Sequence, residues 1–249
     1  MRILLNGCLG RMGRAVADQA TAAGDTVVAG IDPAVGQAAF PVFSTFAACA
    51  VQADVVVDFS NPAALADELA YVTEKGLPLV LCTTGLSEEQ LAAVKAAAEK
   101  VPVFHSSNMS LGVGLLSALT KKAAAVLGAT FDIEIVEMHH NQKLDAPSGT
   151  ALMLADAAKA GLDYDPAYTY TRHDRRQKRE KNEIGIAALR GGNIVGEHQV
   201  HFCGQDETIV LTHRAQSRGL FAGGALAAAR YLLDKPAGLY NMNDLMEQI

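Results

Sequence analysis

The chain has 249 residues, half of them hydrophobic and 19% charged, which suits a packed globular core and excludes a disordered polyelectrolyte. A net charge of −6, no Trp and only 6% aromatic residues argue against an overall basic field or a base-stacking surface for nucleic acid. Cys8, Cys49, Cys82 and Cys203 are scattered without a CxxC pair, no signal-like segment opens the chain, and no apolar run reaches the ~18 residues that span a bilayer. The expectation is a soluble cytoplasmic protein with reduced thiols, no metal site, and no nucleic-acid or membrane partner.

Short apolar, β-branched runs at 2–6, 26–31, 54–59, 77–82 and 101–105 alternate with helical patterns at 11–23, 62–75 and 87–100. Asn61-Pro62 and Ser87 followed by Glu88, Glu89 and Gln90 are helix starts. Repeated β–α–β units with near-continuous hydrophobic strands predict a parallel sheet covered on both faces. The connection over 33–50 is less regular and predicts no more than a short helix.

Beyond residue 110 the pattern changes. A long amphipathic helix over 110–128 is followed by a strand over 131–140 and a helix from about Gly149 towards Ala160. A polar, irregular stretch then runs to about Glu183. Strands follow at 184–191, 194–204 and 206–216, with Gly204-Gln205 as a bend, and a helix from 219 stops near Pro236. The fold class is therefore α/β: a Rossmann-like dinucleotide-binding domain (1–110 and 218–249) and a second α+β domain (111–217) with a mixed, mostly antiparallel sheet, for substrate binding and oligomerisation.

Gly7, Gly10 and Gly13 in "GCLGRMG" lie between the first strand and first helix. There glycine permits a tight turn and close backbone approach, and the helix N-terminus offers free N–H groups to a pyrophosphate. Asp32 ends the second strand, where a carboxylate accepts hydrogen bonds from an unmodified ribose and repels a 2′-phosphate. Pro33 follows, and no Arg or Lys occurs between Asp32 and Lys75, although Arg11 and Arg14 lie within reach of the adenosine end. NADH is thus expected in preference to NADPH, with NADPH the alternative. Small polar residues end three further strands: Ser60, Cys82-Thr83-Thr84-Gly85 and Ser106-Ser107-Asn108. Ligands of open parallel sheets sit beyond such ends, and Thr83 and Thr84 are placed to face a nicotinamide.

The stretch "EMHHNQKLDAPSGTA" (137–151) brings two histidines, a lysine and a helix-starting turn together. Adjacent strand residues His139 and His140 point to opposite faces, which disfavours a metal pair. An imidazole titrates near neutrality and suits proton transfer. Lys143 serves either as a proton donor or as a fixed cation. The turn at Ser148-Gly149-Thr150 offers N–H groups and hydroxyls to a carboxylate, and Asp145 either orients Lys143 or a histidine or caps the turn. His105, His198, His201 and His213 are assigned to structure or rim. A hydride source plus an acid and a carboxylate clamp describe reduction of an unsaturated small carboxylic acid. The basic cluster over 172–181 has acidic neighbours and reads as a solvated loop.

These motifs, with "DFSNP", "CTTG", "SSNMSLGV" and "RGGNIVGEHQVHF", closely resemble the dihydrodipicolinate (4-hydroxy-tetrahydrodipicolinate) reductase family nearly end to end. The resemblance implies NAD(P)H-dependent reduction of a small cyclic dicarboxylate with loss of water, in lysine biosynthesis, by a homotetramer built through the second domain's sheet. By motif it implies His139 and Lys143 as catalytic, and His140, Gly149 and Thr150 beside Ser148 as substrate contacts. It also implies Gly7, Cys8, Leu9, Gly10, Arg11, Met12, Asp32, Cys82, Thr83, Thr84, Ser106, Ser107, Asn108 and Met109 as cofactor contacts. Cys82 and Met109 stand where many members have glycine and an aromatic residue, and Pro33 stands where NADPH-favouring members often carry arginine. A related dehydrogenase of a small amino or keto acid, or a non-catalytic NADH-responsive regulator, would not require the His-His-Lys element.

Overall fold

The computed structural model describes residues 1–34 and 36–248, and the chain divides into two compact units, Met1–Leu111 with Gly219–Ile249, and Gly112–Arg218. In the first unit β1 (Arg2–Asn6), β2 (Thr26–Ile31), β3 (Val42–Phe43), β4 (Val55–Asp58), β5 (Leu79–Leu81) and β6 (Pro102–His105) join β12 (Gly238–Tyr240) in one sheet. The order is β12-β6-β5-β4-β1-β2-β3 and every pairing is parallel. Alternation along the strands splits the core between two faces. Ile3, Leu5, Val55 and Val57 pack under α1 (Arg11–Ala22) and α6 (Gly219–Leu232), with Val16, Ala225 and Leu226. Leu4, Val56, Leu79 and Leu81 pack under α2 (Leu65–Lys75) and α3 (Glu88–Ala98), with Leu69, Val72 and Val94.

The helix starts follow the expected chemistry. Asn61 accepts a hydrogen bond from the Ala63 N–H ahead of α2, and Ser87 and Gln90 form a capping box on α3. Gly76 ends α2 at φ 65°, a conformation that glycine adopts without strain. The 33–50 connection, whose Val35 lies outside the described residues, holds β3 as well as a 3₁₀ turn over 46–48. Two further elements were not anticipated, β12 and the short α7 (Met242–Met246). A three-residue edge strand is too short to display a period, and its identity comes from backbone pairing with β6.

In the second unit α4 (Leu111–Leu127) and α5 (Gly149–Lys159) cover one face of a five-stranded sheet. Its strands are β7 (Asp132–His139), β8 (Ala167–Thr169), β9 (Glu183–Arg190), β10 (Gly196–Cys203) and β11 (Thr208–Ala215), in the order β11-β10-β7-β9-β8. The sheet is mixed, as expected. β10 is antiparallel to β11 and β7, whereas β9 is parallel to β7 and to β8. β8 also lies inside the stretch expected to be irregular. Ile133, Ile135, Ile184, Ile186, Val200 and Phe202 form the buried face with Leu154 and Ala158 of α5. The two-residue period of β7 carries that face on to Glu137 and His139, so the core face of this strand ends in a carboxylate and an imidazole.

Candidate functional site

The first unit's candidate site begins where the strand order reverses between β1 and β4, the usual ligand position in open parallel sheets. A cavity of about 410 Å³ opens there, lined among others by Gly7, Gly10, Asp32, Phe59, Ser60 and Asp67. Gly7 has φ 74°, and a Cβ on it would lie 2.6 Å from the Phe59 carbonyl oxygen, so the turn needs glycine on both conformational and steric grounds. Gly10 caps α1 without any side-chain hydrogen bond, and no acid occupies the first turn. The N–H groups of Gly7, Leu9 and Gly10 are spent on Ile31, Asp32 and Gly7, so the first-turn N–H groups of α1 and its positive end are what is presented to an anion, which fits a dinucleotide's pyrophosphate.

Asp32 accepts hydrogen bonds from the N–H of Leu9 (3.0 Å) and of Ala34 (3.0 Å), tying the glycine loop to the end of β2. Arg14 donates to the Leu9 carbonyl instead of lining the cavity, and neither Arg nor Lys is among the described lining residues. Cys8 and Met109 belong to the hydrophobic core, so these two positions offer a ligand their backbone. Burial, reinforced by Asp32, pushes the Cys8 thiol up to about 11. The strand ends at Cys82–Thr84 and Ser106–Met109 follow β5 and β6 along the same sheet edge but do not line the cavity beside Gly7.

The second unit's candidate site is centred on Glu137, which is completely buried. Its Oε2 is 2.6 Å from His139 Nδ1 and accepts from Arg190 Nη1 at 2.8 Å; its Oε1 accepts from Arg190 Nη2 at 2.8 Å and from the Ser148 N–H at 3.0 Å. Burial alone would raise this carboxyl, but Arg190, His139 and the Ser148 N–H outweigh it and hold it below its ordinary value. An ionised Glu137 fixes the hydrogen of His139 on Nδ1 and directs Nε2 away from the pair. Nε2 faces β10, where a Cβ on Gly196 would approach it to 3.0 Å. Arg190 also donates to the Asp145 carbonyl at 2.6 Å, and Lys143 pairs with the Asp145 carboxylate at 2.8 Å.

His198, expected at the structural rim, stands opposite Glu137 in the β7–β10 register. Its ring centroid is 5.1 Å from that of His139 in an edge-to-face arrangement, and its Nε2 lies 2.9 Å from Ser148 Oγ. Burial pushes the His198 imidazole down to about 4, with His139 adding to the effect, so it stays neutral. Ser148 also caps α5 by accepting from the Ala151 N–H at 3.1 Å. Its hydroxyl is therefore engaged on both sides, and what it offers a substrate is the turn it anchors, including exposed Gly149. Sequence reasoning missed Glu137, Arg190 and His198 as members of this cluster. Arg190 and His198 both lie within "RGGNIVGEHQVHF", but only strand register reveals that they meet at Glu137. Among the described residues, no group of three or more His, Cys, Asp or Glu side chains is arranged to hold a metal ion, and no helix is long and apolar enough to cross a membrane.

Residues 1–109 match the family model described as dihydrodipicolinate reductase, N-terminus, and residues 112–246 the one described as dihydrodipicolinate reductase, C-terminus. The chain is 47% identical over 249 residues to the 4-hydroxy-tetrahydrodipicolinate reductase of Caldanaerobacter subterraneus subsp. tengcongensis, covering all of this chain and 99% of that one. It is 47% identical over 248 residues to the enzyme of the same name from Clostridium novyi, covering 99% and 98%. A dipicolinate-bound dihydrodipicolinate reductase from Paenisporosarcina sp. TG-14 shares the fold with a TM-score of 0.81 at 24% identity, covering 97% of each chain.

Proposed function

The chain belongs to the dihydrodipicolinate reductase family, and we infer from that membership that it catalyses the NAD(P)H-dependent reduction of 4-hydroxy-tetrahydrodipicolinate to tetrahydrodipicolinate, with loss of water, in diaminopimelate and lysine biosynthesis. One structural observation carries the reading beyond family membership: His139 and the Ser148 turn are bound to the same buried carboxylate. A proton donor and an anion-receiving turn are thereby fixed to each other.

The first unit holds the cofactor. The glycine loop and the first turn of α1 receive the pyrophosphate, Asp32 the adenosine ribose, and the loops after β5 and β6 the nicotinamide end. Loss of the ring hydroxyl as water leaves a conjugated ring double bond in the substrate, and NAD(P)H, when bound there, would supply hydride to one of its carbons. The second unit holds the substrate. Gly149, Thr150 and His140 receive a carboxylate at the start of α5, and Lys143, steadied by Asp145, presents a fixed positive charge. His139 donates a proton from Nε2 to the ring atom that becomes electron-rich as hydride arrives, while Glu137 stabilises the charged imidazole before the transfer. Neutral His198 holds Ser148 without adding a second positive charge beside His139.

NADH is the preferred cofactor, because both acids lining the cavity, Asp32 and Asp67, oppose a 2′-phosphate and no cation there would receive it. The working form is a cytoplasmic homotetramer assembled through the second unit's sheet, and sedimentation of a monomer would overturn that part. The test of the reaction is cofactor oxidation with freshly generated 4-hydroxy-tetrahydrodipicolinate, supplying NADH and NADPH in parallel. Turnover with NADH well above NADPH is expected. Equal or reversed preference removes the cofactor inference alone, and no turnover by folded, NADH-binding protein removes the reaction.

A further inference from the structure

Beneath the cofactor edge lies a cluster of acids that the reaction does not use. Asp58, at the carboxyl end of β4, and Glu68, on α2, are both essentially inaccessible to solvent. A single side-chain amide joins them: Asn6 Nδ2 donates to Asp58 Oδ1 at 3.1 Å and to Glu68 Oε1 at 3.1 Å. The same amide group lies 3.2 Å from Ser60 Oγ. Asp58 has two backbone donors besides, the Ser60 N–H at 2.9 Å on Oδ1 and the Thr83 N–H at 3.2 Å on Oδ2. Among the described residues Glu68 has no second partner, and its Oε2 is buried without one.

Charge completes the argument. The ionisable group acting on Glu68 is Asp58, and none from α3 or the flanking 3₁₀ turns does so among the described residues. The Cys82 thiol, on the adjoining strand end, feels both acids and is pushed up by burial and by them. Three acidic groups therefore meet with no cation among the described residues. Two buried carboxylates sharing one amide do not both ionise at neutral pH, because each charge opposes the other in a medium that screens neither. The donors decide which keeps the charge. Asp58, with three, satisfies an anion, whereas Glu68, with one donor and a bare oxygen, does not.

We propose that Glu68 is carried as a neutral carboxylic acid, and that the Asp58–Asn6–Glu68 bridge is a positioning device that locks three strand ends of the cofactor edge together. The ends are those of β1, whose next residue is Gly7; of β4, through Ser60; and of β5, through the Thr83 N–H. Asp58 and Glu68 are positioning residues that act through these loops. Ionisation of Glu68 at rising pH places a second negative charge beside Asp58 and loosens the loops. The effect on cofactor affinity rests on assigning this edge to NADH, whereas the protonation state does not.

Two measurements test the proposal on the full chain. Infrared difference spectra of the ligand-free protein at neutral pH, wild type against Glu68→Gln, are expected to contain a protonated-carboxyl carbonyl band that disappears in the variant. NADH titration by fluorescence is expected to give Glu68→Gln an affinity within about twofold of wild type, and Glu68→Leu, which removes the bridge, an affinity about tenfold weaker. Wild-type affinity is expected to fall as pH rises, and that of Glu68→Gln to stay level. Absence of the carbonyl band in wild type, or a Glu68→Gln variant as impaired as Glu68→Leu, overturns the proposal. If wild type fails to bind NADH while the band is present, the cofactor assignment falls and the neutral Glu68 stands.

Discussion

Glu137 in the second unit and Asp58 in the first are both fully buried carboxylates, yet their surroundings are opposite. Glu137 faces a guanidinium and an imidazole, and it orients the His139 ring. Asp58 faces a second acid and orients only backbone and amide groups. An anion that fixes the tautomer of a neighbouring histidine needs to be ionised throughout, and a bidentate arginine secures that. An anion that merely ties loops together needs no such partner, because a nearby acid can retain its proton instead. The two units thus solve the problem of a buried carboxylate by pairing in one case and by protonation in the other.

Substitutions separate the two. His139→Gln is expected to lower kcat by ~10²–10⁴-fold, the usual contribution of a positioned acid, while NADH titration is unchanged. A parallel loss of NADH affinity would break the division of labour between the units. Glu137→Gln leaves Arg190 without its counter-ion and His139 without its anchor. It should cost about 3 kcal/mol in urea unfolding, with a further loss of kcat and a displaced pH–rate profile, again without change in NADH binding.

The His198 environment makes a pH prediction. This imidazole is held near 4 in the folded protein against an ordinary 6.5, so the unfolded chain takes up the proton first as pH falls. Its stabilising contribution is complete above about 6.5 and is lost as pH drops towards about 4. Urea unfolding at pH 5 should therefore reveal a loss of about 2 kcal/mol that His198→Gln removes. Asp32→Asn should have the smallest effect, narrowing the preference for NADH over NADPH by about tenfold, the worth of one hydrogen bond to a charged group. Steady-state kinetics with both cofactors measures it, and an unchanged ratio would assign the discrimination elsewhere in the pocket.

How legible these features were in the sequence follows the same division. The parallel sheet, its glycine turn and its capped helices are written in contiguous stretches such as "GCLGRMG" and Asn61-Pro62, where local chemistry dictates local geometry. The cluster around Glu137 is not contiguous. Glu137 and His139 share a strand, but Arg190 reaches them through the parallel β7–β9 register and His198 through the antiparallel β7–β10 register. Register depends on the whole sheet, so a lone histidine in "GEHQVHF" carries no mark of its partner. Which neighbour β9 runs parallel to was hidden for the same reason, since alternation along β9 is identical whichever way its neighbour runs. Asp58 and Glu68 lie ten residues apart on different elements, and nothing in "DFSNPAALADE" reveals that one amide from β1 joins them.

The position of α6 has a consequence for synthesis on the ribosome. Ala222, Ala225, Leu226, Ala229 and Leu232 complete the core over one face of the first unit's sheet, although that sheet is otherwise almost finished by residue 105. A nascent chain that has just released β6 therefore carries an apolar face that α1 covers only in part, and it must wait for more than a hundred further residues before α6 completes the cover. The second unit, contiguous over Gly112–Arg218, meets its own partners earlier. The insertion is thus positioned to fold while its host is incomplete.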